Sequence, residues 1–285
     1  MKKLIFSLLV LLSWRTVYPL PVGNPEEASM VSDGIFWDGG DCIDFCDYFC
    51  NPCISWFEVV SLRMGFYGDY VFNRHMKLDN HGGGDLEGTE LYTNAGYVAM
   101  NFFEIADVFT TLGASHLHLK GNESVFRGPA GRRIEFETET DFSWSIGGRI
   151  TLVPCGCAAF GLESQYFCFR PNVKRITSGG DVSVYPDADL NLKYYEWQVG
   201  LGMSYRIHLL SPYVAIKWSR AKIDFNQRTI DLPNNSTRTL LNLETKKSLG
   251  FAAGVSLIDC EMAAVTVEGR FMDEKALYIN GQIRF

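Results

Sequence analysis

An all-β fold, a transmembrane antiparallel β-barrel of about 12 to 16 strands, is what this sequence predicts. Three observations carry the prediction. Apolar and polar residues alternate with a period of two in runs of about nine to eleven residues, the length of a tilted membrane strand. The final run ends on an aromatic residue, Phe285. The chain also opens with an export-type leader.

The leader comes first. Lys2 and Lys3 form a basic start and Leu4 to Leu12 a short apolar stretch, too short to span a bilayer as a helix. Residues 1–19 are therefore expected to be removed on export. Residues 20–55 then form a Cys-rich N-terminal segment and residues 56–285 the barrel. Loss of Lys2, Lys3 and Arg15 leaves 23 of the 26 basic residues against 33 acidic ones, a formal charge of −10. With no basic patch, nucleic acid is not an expected partner. No later stretch holds 18 apolar residues, which excludes a helical membrane protein.

The strands follow. Phe142, Trp144, Ile146, Ile150 and Leu152 alternate with Ser143, Ser145, Gly147, Arg149 and Thr151. Trp197, Val199, Leu201 and Met203 alternate with Glu196, Gln198, Gly200, Gly202 and Ser204. The same holds for 214–219, 249–257 and 263–271. In the last strand Leu277, Ile279, Gly281, Ile283 and Phe285 face one side, and Tyr278, Asn280, Gln282 and Arg284 the other. One side suits lipid and the other water. Strands of a soluble sandwich are about five or six residues long, so a core-packed sandwich fits less well. Tight turns are expected at Ser211-Pro212, 259–261 and 273–275, and long polar loops at 73–90, 120–135, 171–191 and 221–246, with His81–Asp85 as a loop tip.

The polar faces carry the candidate chemistry. Arg149, Glu196, Arg206, Lys217, Glu268, Arg270 and Arg284 are candidate pore-lining residues, because charges opposed across a lumen orient ions and polar solutes. Eight cysteines suit an oxidising compartment. Cys42, Cys46, Cys50, Cys53, Cys155, Cys157, Cys168 and Cys260 are disulfide candidates, in preference to a zinc site, and their pairing is open. His116 and His118 share a strand face without a third ligand, so no metal and no cofactor are expected. Glu135, Glu137, Glu139 and Asp141 make an acidic face that reads as a solvated strand rim. No Gly-x-Ser-x-Gly elbow accompanies the five histidines, so an enzyme is not expected.

Several segments resemble the chlamydial major outer membrane protein family. They are LPVGNP (20–25), DGIFWDG (33–39), LRMGFYGDYVFNR (62–74), the stretch 93–122, FSWSIGGRITLVPCGCAAFG (142–161), 194–221 and 264–285. The resemblance implies a trimeric outer-membrane porin of about sixteen strands, with Phe285 as an assembly signal. It also implies disulfide links to other Cys-rich envelope proteins. Tyr97, Thr110 and Leu249 stand where the family pattern leads one to expect cysteine, and Cys260 is additional. The expected function is passive diffusion of small hydrophilic solutes and ions across the outer membrane. A structural or adhesive barrel is the alternative, and a barrel hydrolase a second.

Overall fold

The computed structural model describes residues 20–29, 60–79, 85–103, 105–126, 132–155, 158–184, 190–227, 229–231, 237–259 and 263–285. The leader, Cys42, Cys46, Cys50, Cys53, Cys157, Cys260 and the loop tip 81–84 lie outside the described residues.

Seventeen strands are described. They are β1 (Val60–Arg74), β2 (Met76–Leu78), β3 (Gly88–Phe102), β4 (Ala106–Asn122), β5 (Arg133–Thr138), β6 (Asp141–Cys155), β7 (Ala158–Phe169), β8 (Val173–Ser178), β9 (Asp181–Val184), β10 (Leu192–Tyr205), β11 (Leu210–Phe225), β12 (Thr229–Asp231), β13 (Thr237–Thr239), β14 (Leu243–Thr245), β15 (Leu249–Asp259), β16 (Ala263–Phe271) and β17 (Glu274–Arg284). Ten of them form an antiparallel ring in the order β3-β1-β17-β16-β15-β11-β10-β7-β6-β4, closed by the pairing of β4 with β3. The first long strand pairs with the last, from Arg63 opposite Arg284 to Arg74 opposite Glu274. Closure leaves this wall no free edge, which a membrane-spanning sheet requires. The total of 17 strands lies close to the sixteen that the resemblance implies. Chain length goes into wall strands of up to 17 residues and into seven short strands on the long connections.

The wall alternates as the sequence predicts. Phe142, Ile146, Ile150, Leu152, Leu201, Val214, Ile216, Trp218, Leu257 and Val265 are exposed on the outside, while Ser143, Ser145, Arg149, Glu196, Gln198, Lys217, Thr266 and Glu268 are buried inside. Long connections gather at one end, which by barrel convention is extracellular, and short ones mark the periplasmic end. Ser211 and Pro212 are not a turn. They lie in β11, and the reversal falls at 206–209, where His208 takes a φ of 56°. Pro212 is tolerated there because it sits near the start of the strand. The turn expected at 273–275 falls at Met272–Asp273, on the extracellular end, so short turns are not confined to one end.

Wall strands such as β4, β7, β10 and β11 run past the apolar belt, and there their dressing inverts. On β4, Val108 and Leu112 face out and Thr111 and Ser115 face in. Further up, His116 and His118 are partly exposed while Leu117 and Leu119 are buried. On β11, Val214 and Trp218 give way to Lys222 outside, and Ala221, Ile223 and Phe225 face in. These inward residues join Phe167, Phe169, Leu192 and Tyr194 from β7 and β10. Met76, Leu78, Phe126, Phe136, Ile176 and Leu243 from the connections complete one apolar core at the extracellular end. Phe126 stacks edge-on against Phe136 at 5.3 Å, and Phe136 lies 5.8 Å from Phe225.

Candidate functional site: the filled lumen

Below that core the inward face is mainly polar, with one buried aromatic cluster of Tyr67, Tyr97, Phe109 and Tyr278. Small hydroxyls bridge neighbouring strands: Thr93 to Ser115 at 2.7 Å, Ser115 to Ser143 at 2.7 Å and Ser256 to Thr266 at 2.7 Å. Such pairs satisfy buried donors without bulk.

An ionic cluster spans the upper lumen. Arg74 donates to Glu196 at 3.0 Å and to Glu274 at 3.0 Å. Lys217 reaches Glu274 at 2.5 Å and Asp273 at 3.0 Å. Arg270 pairs with Asp69 and lies 3.1 Å from Glu274. Every one of these side chains is nearly fully buried. Buried charges persist only when paired and hydrogen-bonded, and breaking one pair costs several kcal/mol, about 3–5. A lower cluster joins Arg149 to Glu163 at 2.6 Å and Arg63 to Asp107.

Residues 20–29 run from the base of the apolar core, which Leu20 joins, into the periplasmic half of the lumen. Leu20 to Ala28 are buried against the wall, ending in a short 3-10 turn at Pro25–Ser29. The segment has no strand pairing with the wall among the described residues. The inward side chains hold it instead. Leu20 N–H donates to Gln198 at 2.5 Å. Val22 and Gly23 N–H groups donate to the two oxygens of Glu268, at 3.2 and 3.1 Å, and the Tyr213 hydroxyl donates to the same carboxylate at 2.8 Å. Asn24 donates to the Ser211 hydroxyl at 3.0 Å. The Pro25 carbonyl accepts from Thr151 at 2.8 Å and the Ala28 carbonyl from Asn101 at 2.8 Å. Glu27 accepts from Arg149, from Thr266 at 2.5 Å and from Gln282 at 3.1 Å.

The wall is shaped for this segment. A Cβ on Gly200 would stand 2.5 Å from Val22, and one on Gly161 or Gly202 would stand 2.8 or 2.9 Å from Pro25. Gly23 has a φ of +63°, and a Cβ there would meet Arg149 at 2.1 Å. Only glycine fits both the backbone and the space at that position.

The pore-lining candidates divide into two sets. Arg149, Glu196, Lys217, Glu268 and Arg270 all point into the lumen and are buried there. Arg206 and Arg284 sit at the periplasmic ends of β10 and β17 and are only partly buried. Sequence reasoning missed Arg63, Arg74, Asp107 and Glu274, and the segment itself. The signal for the segment was available: Gly161, Gly200 and Gly202 thin one side of the inward face. Of the disulfide candidates, Cys168 is a buried free thiol on β7. Glu135 and Glu137 lie on β5, where Arg133 and Arg175 pair with them and His118 stands 3.3 Å from Glu135.

Comparison with known proteins matches the sequence to the family described as Chlamydia major outer membrane protein, over residues 1–84, 81–129, 130–178, 176–245 and 237–285. A relative named major outer membrane porin, serovar L1, from Chlamydia trachomatis is 31% identical over 401 aligned positions, covering 100% of both chains. The major outer membrane porin of Chlamydia muridarum is 31% identical over 412 positions, again over 100% of both. Among solved structures, an outer membrane channel from Pseudomonas putida F1 aligns with 86% of this chain and 100% of its own at 8% identity and a TM-score of 0.40.

Proposed function

We propose that this chain, which belongs to the Chlamydia major outer membrane protein family, is a porin of the outer membrane that passes small hydrophilic solutes and ions by diffusion. One observation carries the reading: a closed wall with an apolar outside and a charged, hydroxyl-lined inside. Lipid is the partner of the outer face. Arg149, Glu196, Lys217, Glu268 and Arg270 face the route, and Arg206 and Arg284 stand at its periplasmic mouth. Passage requires residues 20–29 to leave the belt and the loops to part above it.

The filled lumen favours a second reading, a structural or surface barrel. Liposome swelling separates the two. Proteoliposomes placed in isotonic sugars of increasing size should swell at rates that fall with solute size. Rates equal to those of protein-free liposomes for the smallest sugar would favour the structural barrel. No catalytic role is assigned.

Trimer formation and disulfide linkage to other envelope proteins belong to the same proposal. Cys42, Cys46, Cys50 and Cys53 lie in the 30 residues between the lumenal segment and β1. Non-reducing gels of isolated envelopes should show higher bands that collapse on reduction. Monomer alone would remove the cross-linking role.

A further inference from the structure

We propose that the periplasmic half of the lumen is a peptide-binding site, and that residues 20–29 are its resident and exchangeable ligand. The proposal rests on the geometry of the seat and not on the porin reading. Its ligand class is an extended, acidic peptide that offers two successive backbone N–H groups and a glycine turn.

The seat is specific. Glu268 receives both N–H groups of Val22 and Gly23. Arg149 receives Glu27, three glycines make room for Val22 and Pro25, and Asn101 and Thr151 cap the carbonyls. These are the marks of a preorganised binding groove, in which the segment's buried polar groups find hydrogen-bond partners on the wall.

The ligand can leave without taking the wall apart. No strand ladder joins it to the barrel among the described residues. Its departure leaves Arg149 on Glu163, Arg63 on Asp107 and Glu268 on the Tyr213 hydroxyl, so each of these wall groups keeps a hydrogen-bonding partner. Residues 30–59 link it to β1, a contour of about 100 Å at about 3.3 Å per residue. With residues 1–19 removed on export, as the sequence leads one to expect, the segment would be a free end that withdraws without threading a loop.

The test uses the full chain with Gly23→Val, which spoils the resident ligand and leaves every wall residue in place. A fluorescently labelled peptide, LPVGNPEEAS, is added to the protein in detergent and its anisotropy followed. Heat-shifted gel mobility reports folding. The Gly23→Val chain should bind the peptide, and the unaltered chain, its seat occupied, should bind it at least about ten-fold more weakly. A peptide carrying Glu27→Gln should also bind about ten-fold more weakly. Absence of binding to the folded variant at about 1 mM peptide would overturn the proposal, as would equal binding by a scrambled peptide. Hydrogen exchange on the unaltered chain gives a second reading, independent of the variant's folding. Val22 and Gly23 amides should exchange faster than the ladder amides of β10 and β11. Exchange only in step with those strands would mean the segment never leaves a folded wall, and would also overturn it.

Discussion

The apolar belt and the extracellular extension are made of the same strands, yet they are built inside out relative to each other. Along β4 the belt shows Val108 and Leu112 to lipid and buries Thr111 and Ser115. A turn of the pleat higher, Leu117 and Leu119 go in and His118 comes out. β11 repeats the change between Trp218 and Ile223. The strand backbone does not change; the surrounding solvent does. In lipid the outside gains nothing from polarity, so the polar groups pair inside. In water the hydrophobic effect returns, and the extension closes on an apolar core. The belt is therefore held by closure and internal pairing, and the extension by burial.

Truncation in the extension breaks its side of the comparison most strongly. Phe136→Ala removes a ring packed between Phe126 and Phe225. It should cost about 3–5 kcal/mol, seen as early proteolysis of the loops while the belt stays resistant. Loss of the whole barrel at once would mean the two regions are a single cooperative unit. Next comes a charge on the belt. Val214→Lys, on the lipid face, should cost about 2–4 kcal/mol in bilayer refolding titrations. Lys222 already carries that charge on the same face of β11 above the belt, partly exposed, and Lys222→Ala should change stability by about 0.5 kcal/mol or less. A similar cost at both positions would move the membrane boundary.

Smaller than the cost of a charge on the belt is a pH dependence. Glu244 pairs β14 to Lys77 at 3.0 Å and to Arg220 at 2.5 Å. Burial pushes its carboxyl up, but the two cations outweigh this and hold it below the usual glutamate range. A lowered carboxyl contributes stability above its ordinary titration range and loses it as pH falls through the lowered one. Acidification should thus loosen the β2–β14 contact by about 1 kcal/mol or less. Glu244→Gln should abolish that dependence. Retention of it in hydrogen exchange of residues 243–245 would assign it elsewhere.

The belt was legible in the sequence because lipid demands a strict alternation, which Phe142 to Leu152 and Leu277 to Phe285 display with only Gly148 and Gly281 breaking the apolar side. The extension was harder to read. Its alternation continues in phase, but its meaning reverses, so Ile223 and Phe225 fell within an expected polar loop. The segment 20–29 was invisible to periodicity, since it has no strand pattern and its contacts are made with residues more than a hundred positions away, such as Gln198 and Glu268. The charged candidates Arg149, Glu196, Lys217, Glu268 and Arg270 were found because they interrupt an inward face. Arg74 and Glu274 escaped because they sit at strand ends, where a charge on the surface is unremarkable.

Single-channel recording in planar bilayers tests most directly whether this lumen is the solute route, with the unaltered chain and the Gly23→Val chain measured side by side. Ohmic steps in both, with a larger open fraction when Gly23 is replaced, are the expected result. Silence of both folded proteins across repeated reconstitutions would contradict it.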